Sequence, residues 1–563
     1  MLDYQNLRKT MSWDDARREL GLQPDGPINI GELCTARHVA AGRGEKLALI
    51  HENHVGEIRT YTYRDLMFLA NGWAQFLAAC GVESLDRVAV FLDRCPELYV
   101  GFVGILKRGA VVQPLFSAFG EESLHERLSD SRAVVVITQR KHLGKVRRIR
   151  DRLPALKHIL VVDHDGEKPL REGEFAYVMA ENSSETAPPV ATFAESPSVL
   201  HYTSGTTGKP KGALHVHGSV LAQYLTSRIV LDLRGDDIYW CNADPGWVTG
   251  TSYGIIGPWA TGTTQVVLDA GFSSDRWYQT IARHRVTVWY TAPTAVRLLM
   301  RDGLEPVRRA DLSSLRHICS VGEPLNPEAV HWGRQAFGLD IHDTYWQTET
   351  GSIVVTNLPG MPVKPGSMGK PFPALEAAIV DSKTFEPIRE PGRVGMIAVR
   401  PPFPSLMRTY WDNTATYYKK FRNGWYICGD RGSLDAEGYF WFSGRDDDVI
   451  NTGGHLVGPF EIESALLEHE AVAESAAVGK PDPVNMEVVK AFVALKPGFE
   501  PSSDLELEIM NFIRRRLSPL AMPQEIEFID RLPKTRSGKI MRRMLKAKES
   551  GLEIGDTSTL DDE

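Results

Sequence analysis

Short β-branched and apolar runs return along this chain at intervals that a helix can fill, and that spacing limits the fold more than any other feature. RVAVFL (87–92) follows the helix-patterned YRDLMFLANGWAQFLAAC, and AVVVIT (133–138), HILVVD (158–163), VTVWYTAP (286–293) and HICSVGE (317–323) repeat the theme. Runs that are apolar on both faces belong inside a parallel sheet, where helices cover each face, and strands alternating with amphipathic helices read as βαβ units. The expected fold class is α/β. Residues 164–197 break the pattern; polar and Pro-containing, they predict a surface connection. Beyond GRDDD (444–448) a second compact pattern begins. FEIESALLEH reads as a helix, ESAAVGKPD as a strand and turn, VVKAFVALKPG as a strand, and LELEIMNFIRRRL as a helix with apolar residues at helical spacing. The acidic tail after Lys548 reads as frayed.

A chain of 563 residues, 42% hydrophobic and 24% charged, can form several packed units without cross-links. Its 64 basic and 72 acidic residues leave a net charge of −8, which argues against general nucleic-acid binding. Cys34, Cys80, Cys95, Cys241, Cys319 and Cys428 are scattered, with no CxxC pair and no zinc-site spacing, and read as reduced core thiols. No apolar run approaches the ~18 residues of a membrane span, and the opening MLDYQNLRKT lacks the apolar stretch of a signal peptide. The expectation is a soluble cytoplasmic protein with no membrane or nucleic-acid partner. Oligomeric state stays open, a homo-oligomer included.

The chemistry-bearing segment is HYTSGTTGKPKGALHVH (201–217). It is not a P-loop, which needs GxxxxGK followed by Ser or Thr; here Gly205 and Gly208 fall inside the run and Pro210 follows Lys209. Its glycines nevertheless let backbone N–H groups approach an anion, its hydroxyls add donors, and Lys209 and Lys211 add charge. On residue types alone, a surface loop of turn formers is an equal reading.

The eleven residues YTSGTTGKPKG resemble the signature of the acyl-adenylate-forming superfamily, which includes acyl- and aryl-CoA synthetases, peptide-synthetase adenylation domains and luciferases. The likeness runs over nearly the whole chain, through SVGEPLNPE (320–328), DTYWQTETG (343–351), GWYICGDRG (424–432), GRDDDVI (444–450) and PKTRSGKIMRR (533–543). It implies the adenylate-forming fold. That fold has a large N-terminal domain of parallel β-sheets packed with helices plus a β-barrel-like part, residues 1–445. A hinge at 446–448, centred on Asp447, leads to a small mobile α+β C-terminal domain, residues 449–563. By the same resemblance, Thr203, Ser204, Gly205, Thr206, Thr207, Gly208, Lys209 and Lys211 handle the ATP phosphates. Gly322, Glu323, Pro324, Asp343, Thr344, Tyr345, Trp346, Gln347 and Thr348 surround AMP, with Asp430 on the ribose hydroxyls and Arg445 near ribose and phosphate. Glu349 is implied as the Mg²⁺ ligand and Lys539 as the catalytic lysine. The rest of the basic run after Pro533 reads as a solvated face.

WCNADPGWVTGTSYGIIGPW (240–259) and Trp346 are similar to the acetyl-CoA synthetase branch in its shorter bacterial form. There the acyl pocket corresponds to Val248, Thr249, Val321 and Trp346, and the indole fills space that a longer acid needs; a merely packed core aromatic is the alternative. Thr249, Gly453, Gly454 and Arg514 fall on the coenzyme A side, and RKHLGKVRRIRDR (140–152) is a further candidate for its 3′-phosphate. Leu467, His469 and Val472 match a cation position of some relatives. Two departures stand out: Leu456 follows GGH where the branch usually has Arg, and Gly453 replaces a common Ser. The resemblance thus implies a ligase that activates a short acid, acetate first and propionate second, with ATP and Mg²⁺, then transfers it to coenzyme A, with no tightly bound organic cofactor. The alternatives are a ligase for a medium-chain or aromatic acid, and a non-catalytic nucleotide or acyl-CoA sensor.

Overall fold

The computed structural model describes residues 3–166, 169–187, 190–203, 210–452, 455–483, 485–535, 540–551 and 560. Two large sheets dominate it. The first has fourteen strands. Its parallel half is ordered Leu47–Glu52, Thr264–Leu268, Ile238–Cys241, Val288–Thr291, His317–Val321, Ile341–Tyr345. It continues through Val355–Thr356 into antiparallel strands Ser367–Pro371, Phe440–Arg445, Trp425–Leu434, Gly395–Val399 and Ala377–Val380, the part expected to be barrel-like. The second sheet has eight strands. Arg87–Phe91 lies in it between Val111–Pro114 and Val135–Thr138, and His158–Val161 follows, all parallel.

The apolar runs thus sit where two covered faces are required. Helices Tyr63–Ala79, Pro96–Lys107 and Ser219–Ile229 carry buried residues nearly all round, and supply Trp73, Phe102 and Leu225 to the largest core cluster. Residues 164–197 depart from the expected surface connection. Glu174–Ala176 adds an edge strand to the second sheet, and the buried Tyr177 stacks on Trp73 with ring centroids 3.7 Å apart. Polar composition hid these anchors, because the segment is held by scattered contacts, among them Arg147–Glu174, Asn71 with the carbonyls of Ser184 and Glu185, and Thr192 with the carbonyl of Ile28.

The first sheet ends at Arg445 and a third sheet begins at Ile450. It has five strands, with Met486–Leu495 between Ile450–Thr452 and Val472–Asp482, and Glu525–Phe528 pairing in parallel. Helices Pro459–Leu467 and Ser503–Arg516 cover it, and Ile462, Leu466, Val489, Ile509 and Ile513 form a core of their own. ESAAVGKPD contains no turn: one strand runs through Pro481 to Asp482, paired with Met486. Leu560 bridges Thr535; residues 552–559 and 561–563, in the tail expected to fray, lie outside the described residues. Asn326 Nδ2 donates to Ser464 Oγ at 2.8 Å, linking helix Pro459–Leu467 to the first sheet's side of the molecule.

One buried carboxylate pins an edge of the first sheet. Glu52, 1% exposed, meets Arg276 at 2.6 Å, Arg283 at 2.8 Å and His284 Nε2 at 2.6 Å, all on helix Ser274–His284. Removing one member of such a cluster leaves buried charge unpaired, so Glu52→Ala is expected to cost about 3 kcal/mol. A drop in the thermal midpoint, measured by calorimetry at neutral pH, checks this.

Candidate active site

Carboxyl ends of strands from both large sheets open into one cleft of about 2250 Å³. In the first sheet the chain passes from Ile238–Cys241 outward to Thr264–Leu268, then returns to Val288–Thr291 on the other side. Such a reversal leaves a crevice beyond the strand ends, the usual ligand position in open α/β sheets. Asn242, Asp244, Thr291 and Ala292 line the cleft there.

The second sheet contributes a hairpin. Pro197–Thr203 and Lys211–Val216 pair antiparallel, with Thr203 opposite Lys211. Both residues line the cleft, and Lys211 Nζ stands 5.8 Å from the centre of the Tyr410 ring. Ser204, Gly205, Thr206, Thr207, Gly208 and Lys209 lie outside the described residues. Two antiparallel strands flanking this segment differ from the strand and helix that flank a P-loop, in agreement with the sequence. His201, His215 and His217 on these strands are buried, and burial pushes them down from 6.5 to about 3, about 4 and about 3. His215 Nε2 donates to the carbonyl of Thr348 at 2.8 Å, tying the hairpin to the opposite wall.

Across the cleft, Gly322, Glu323 and Pro324 follow strand His317–Val321. Gly322 has φ +94°, open to glycine and strained for any other residue. Glu323 is held by Thr294 Oγ1 at 2.7 Å and Arg297 at 2.5 Å. Asp343 ends in a dry position; burial raises its carboxyl to about 8, against the backbone N–H of Thr344 donating at 3.0 Å, so it is mainly the neutral acid at pH 7. Asp430 accepts from Tyr345 OH at 2.6 Å and Gln347 Nε2 at 2.5 Å, and lies opposite Arg445 in the strand pair. Desolvation would lower Arg445, but Asp447, Asp430, Asp448 and Glu349 together raise it. Glu349 Oε1 accepts from Tyr410 OH at 2.8 Å; among the described residues Oε2 has no hydrogen-bond partner. One free hard oxygen facing an anion-binding cleft fits Mg²⁺, which keeps waters and takes few protein ligands. Among the described residues no group of three or more His, Cys, Asp or Glu could hold a metal alone.

Val248, Thr249, Val321 and Trp346 all line the cleft, and Val321 and Trp346 share a core cluster against which Val248 packs. Gly250 allows a close approach to Asp244, because a Cβ there would sit 2.2 Å from the Asp244 carbonyl oxygen. After Val248–Thr251 the helix widens to a π-turn, Ser252–Ile256, which carries Tyr253 against Trp346 edge-on at 5.1 Å.

The third sheet's side closes the cleft with Lys534, Thr535, Ile540, Met541, Arg542 and Lys546. Lys539, Gly453 and Gly454 lie outside the described residues, but Lys534 pairs with Ile540 across the segment that holds Lys539. The solvated face expected here forms only in part. Lys548 is exposed even while it meets Glu527 at 2.6 Å, but the half-buried Arg542 makes a two-pronged pair with Glu463 and Lys534 meets Glu474 at 2.5 Å; Arg536 lies outside the described residues. Leu456 pairs with Asn451 in a short hairpin. In the segment expected to be the hinge, Asp447 accepts from Arg445 at 3.1 Å, and Asp446 is paired with Arg431.

Several expected residues stay apart from the cleft's centre. Arg514 is exposed and does not line it. In 140–152, Arg147, Arg148 and Arg152 are already matched to Glu174, Glu121 and Glu122. Leu467 and Val472 line the cleft, but His469 has both ring nitrogens engaged, one accepting from the Ala471 N–H and the other 3.6 Å from Glu508. Sequence reading passed over Tyr290, Tyr410 and Arg297. Only their neighbours were legible: Tyr290 falls in a run read as a strand.

Two family models match the chain: AMP-binding enzyme over residues 36–411, and AMP-binding enzyme C-terminal domain over 461–539. It is 47% identical to the acetyl-coenzyme A synthetase of Bacillus subtilis over 563 residues, covering 100% of this chain and 97% of that one. It is 40% identical to the protein of the same name from Pyrobaculum aerophilum, covering 96% and 85%. Among solved structures, an acyl-CoA synthetase of Brucella canis matches with TM-score 0.76 at 33% identity, covering 98% and 99%. An anthranilate CoA ligase in complex with anthranoyl-AMP matches with TM-score 0.85 at 30% identity, covering 96% and 99%.

The three depressed histidines carry a pH dependence. Unfolded, they take up protons near 6.5; folded, they stay neutral to about 4 or below. Their contribution is present above pH 6.5 and lost as pH falls, at about 1.4 kcal/mol per pH unit per histidine. Urea unfolding between pH 7 and 5 is expected to show this fall, and His217→Gln to lessen it by one histidine's share.

Proposed function

The chain belongs to the AMP-binding enzyme family, and from its full-length likeness to acetyl-coenzyme A synthetases we infer that it is an AMP-forming acetate–CoA ligase. Acetate is activated with ATP and passed to coenzyme A. The observation that carries the reading is that Trp346, Asp343, Asp430, Glu349 and Lys211 all line one cleft.

The chemistry explains why such a set is needed. A carboxylate resists nucleophiles because it is already anionic. In the first step an acetate oxygen attacks the α-phosphorus of ATP; the P–O bond to pyrophosphate breaks and acetyl-adenylate forms. In the second, the thiolate sulfur of coenzyme A attacks the acetyl carbonyl, the C–O bond to AMP breaks, and AMP leaves. Charge gathers on phosphate oxygens in the first step, so preorganised cations stabilise it. We assign the pyrophosphate grip to residues 203–211, the ribose to Asp430 with Arg445, and the base to residues 322–324 and 343–348. Lys539 would meet the reacting phosphate from the third sheet's side, whose neighbours Thr535 and Ile540 line the same cleft. Glu349 would hold Mg²⁺, which when bound neutralises polyphosphate charge. Arg514, Gly453, Gly454 and Thr249 are assigned to coenzyme A. Arg514 would reach the cleft by a rotation of residues 449–563 about Asp447. Acetate is the preferred acid, with propionate the next to be accepted. The six unpaired cysteines suit a reducing cytoplasm.

Acetate-dependent exchange of labelled pyrophosphate into ATP is expected, falling by at least ~10²-fold in Lys539→Ala. A panel of carboxylates, assayed by coenzyme-A-dependent AMP release, tests the acid. Trp346→Gly is expected to move the preference from acetate to acids of four or more carbons. An unmoved preference, or no exchange with any acid of two to four carbons, would reject the short-acid reading.

A further inference from the structure

Trp346 can measure an acid only if its indole is immobile, and one side chain outside the recognised motifs holds it. Tyr290, on strand Val288–Thr291, is fully buried and lines the cleft. The Trp346 Nε1–H donates to Tyr290 OH at 3.1 Å. Tyr290 OH lies 2.7 Å from Thr344 Oγ1, and the Thr344 hydroxyl donates to the carbonyl of Ser320 at 2.7 Å. A hydroxyl has one proton to give. Thr344 spends its proton on Ser320, so Tyr290 must be the donor to Thr344, and its oxygen is left to accept the indole N–H. The chain therefore runs one way, Trp346 to Tyr290 to Thr344 to Ser320, and both hydroxyls in it donate once and accept once.

Tyr253 completes the clamp. Its ring meets Trp346 edge-on at 5.1 Å and Tyr290 at 5.7 Å. Its own hydroxyl accepts from the Ile353 N–H at 2.8 Å and pairs with Thr226 at 2.8 Å. Tyr253 thus limits the indole by packing alone, while Tyr290 supplies the only directional bond to it among the described residues.

We propose that Tyr290 is a specificity-determining positioning residue, whose hydroxyl fixes the Trp346 indole in the orientation that separates two-carbon from three-carbon acids. This rests on the acetate ligase reading above. Tyr290 is outside the residues assigned above to the nucleotide and to coenzyme A, so its signature is a change in acid discrimination and not a general loss of rate.

The experiment compares kcat/KM for acetate and propionate in the full chain. In Tyr290→Phe the ring keeps its packing and the indole N–H loses its acceptor. The acetate-to-propionate ratio is expected to fall about tenfold, within the range one methylene commands in a tight pocket, mainly through KM for the two acids. In a Trp346→Gly background the same tyrosine change is expected to alter the ratio by less than about twofold, because the residue it acts through is gone. Thr344→Val, which removes the acceptor beyond Tyr290, is expected to move the ratio the same way, and serves if Tyr290→Phe does not fold. An unchanged ratio in the tyrosine or threonine variant, or an equal effect with and without Trp346, overturns the proposal. Failure of the wild-type chain to activate either acid would instead strike at the ligase reading.

Discussion

A parallel strand covered on both faces can offer chemistry only at its ends. The constraint places much of the cleft's chemistry. The strands Ile238–Cys241, Val288–Thr291 and His317–Val321 are mostly apolar and bury nearly every residue, whereas Ile341–Tyr345 (IHDTY) already carries polar groups within the strand. Polar groups collect in the few residues after each carboxyl end, in Asp244, Thr294, Glu323 and Gln347. The second sheet turns its hairpin to the same opening, so two layers joined by one hydrophobic core share one cleft.

What was legible in the sequence follows the same division. The strand interiors were readable because double burial demands unbroken apolar runs, and RVAVFL or HICSVGE can satisfy little else. The motif residues were readable because their identities answer to a ligand: Trp346 and Glu349, just beyond the strand Ile341–Tyr345, and Asp430, within the strand Trp425–Leu434, all line the cleft. Relations between segments were not readable. Nothing in VTVWYTAP says that its tyrosine, and no other residue of the run, meets Trp346 56 positions later. Nor does a basic run announce its partners. Arg542 looked like surface charge, yet Glu463, 79 positions earlier, accepts from two of its three nitrogens, Nε and Nη2. In 164–197, polar composition outweighed Tyr177, whose stacking on Trp73 depends on a helix a hundred residues upstream.

The third sheet has its own core and meets the rest through both polar and aromatic contacts, Asn326 with Ser464 and Phe442 with Phe460. Asp446 and Asp447, in the segment between the first and third sheets, are held by Arg431 and Arg445, both on the first sheet.

The buried histidines beside the hairpin have an electrostatic meaning too. An imidazole near an anion-binding loop would ordinarily gain charge under mild acidification and tighten the grip on phosphate. His201, His215 and His217 are too dry to do so until far below neutrality. The field at Thr203 and Lys211 is thereby insulated from swings in cellular acidity, and affinity for the triphosphate is left to respond to the nucleotide's own protonation and its counter-ions.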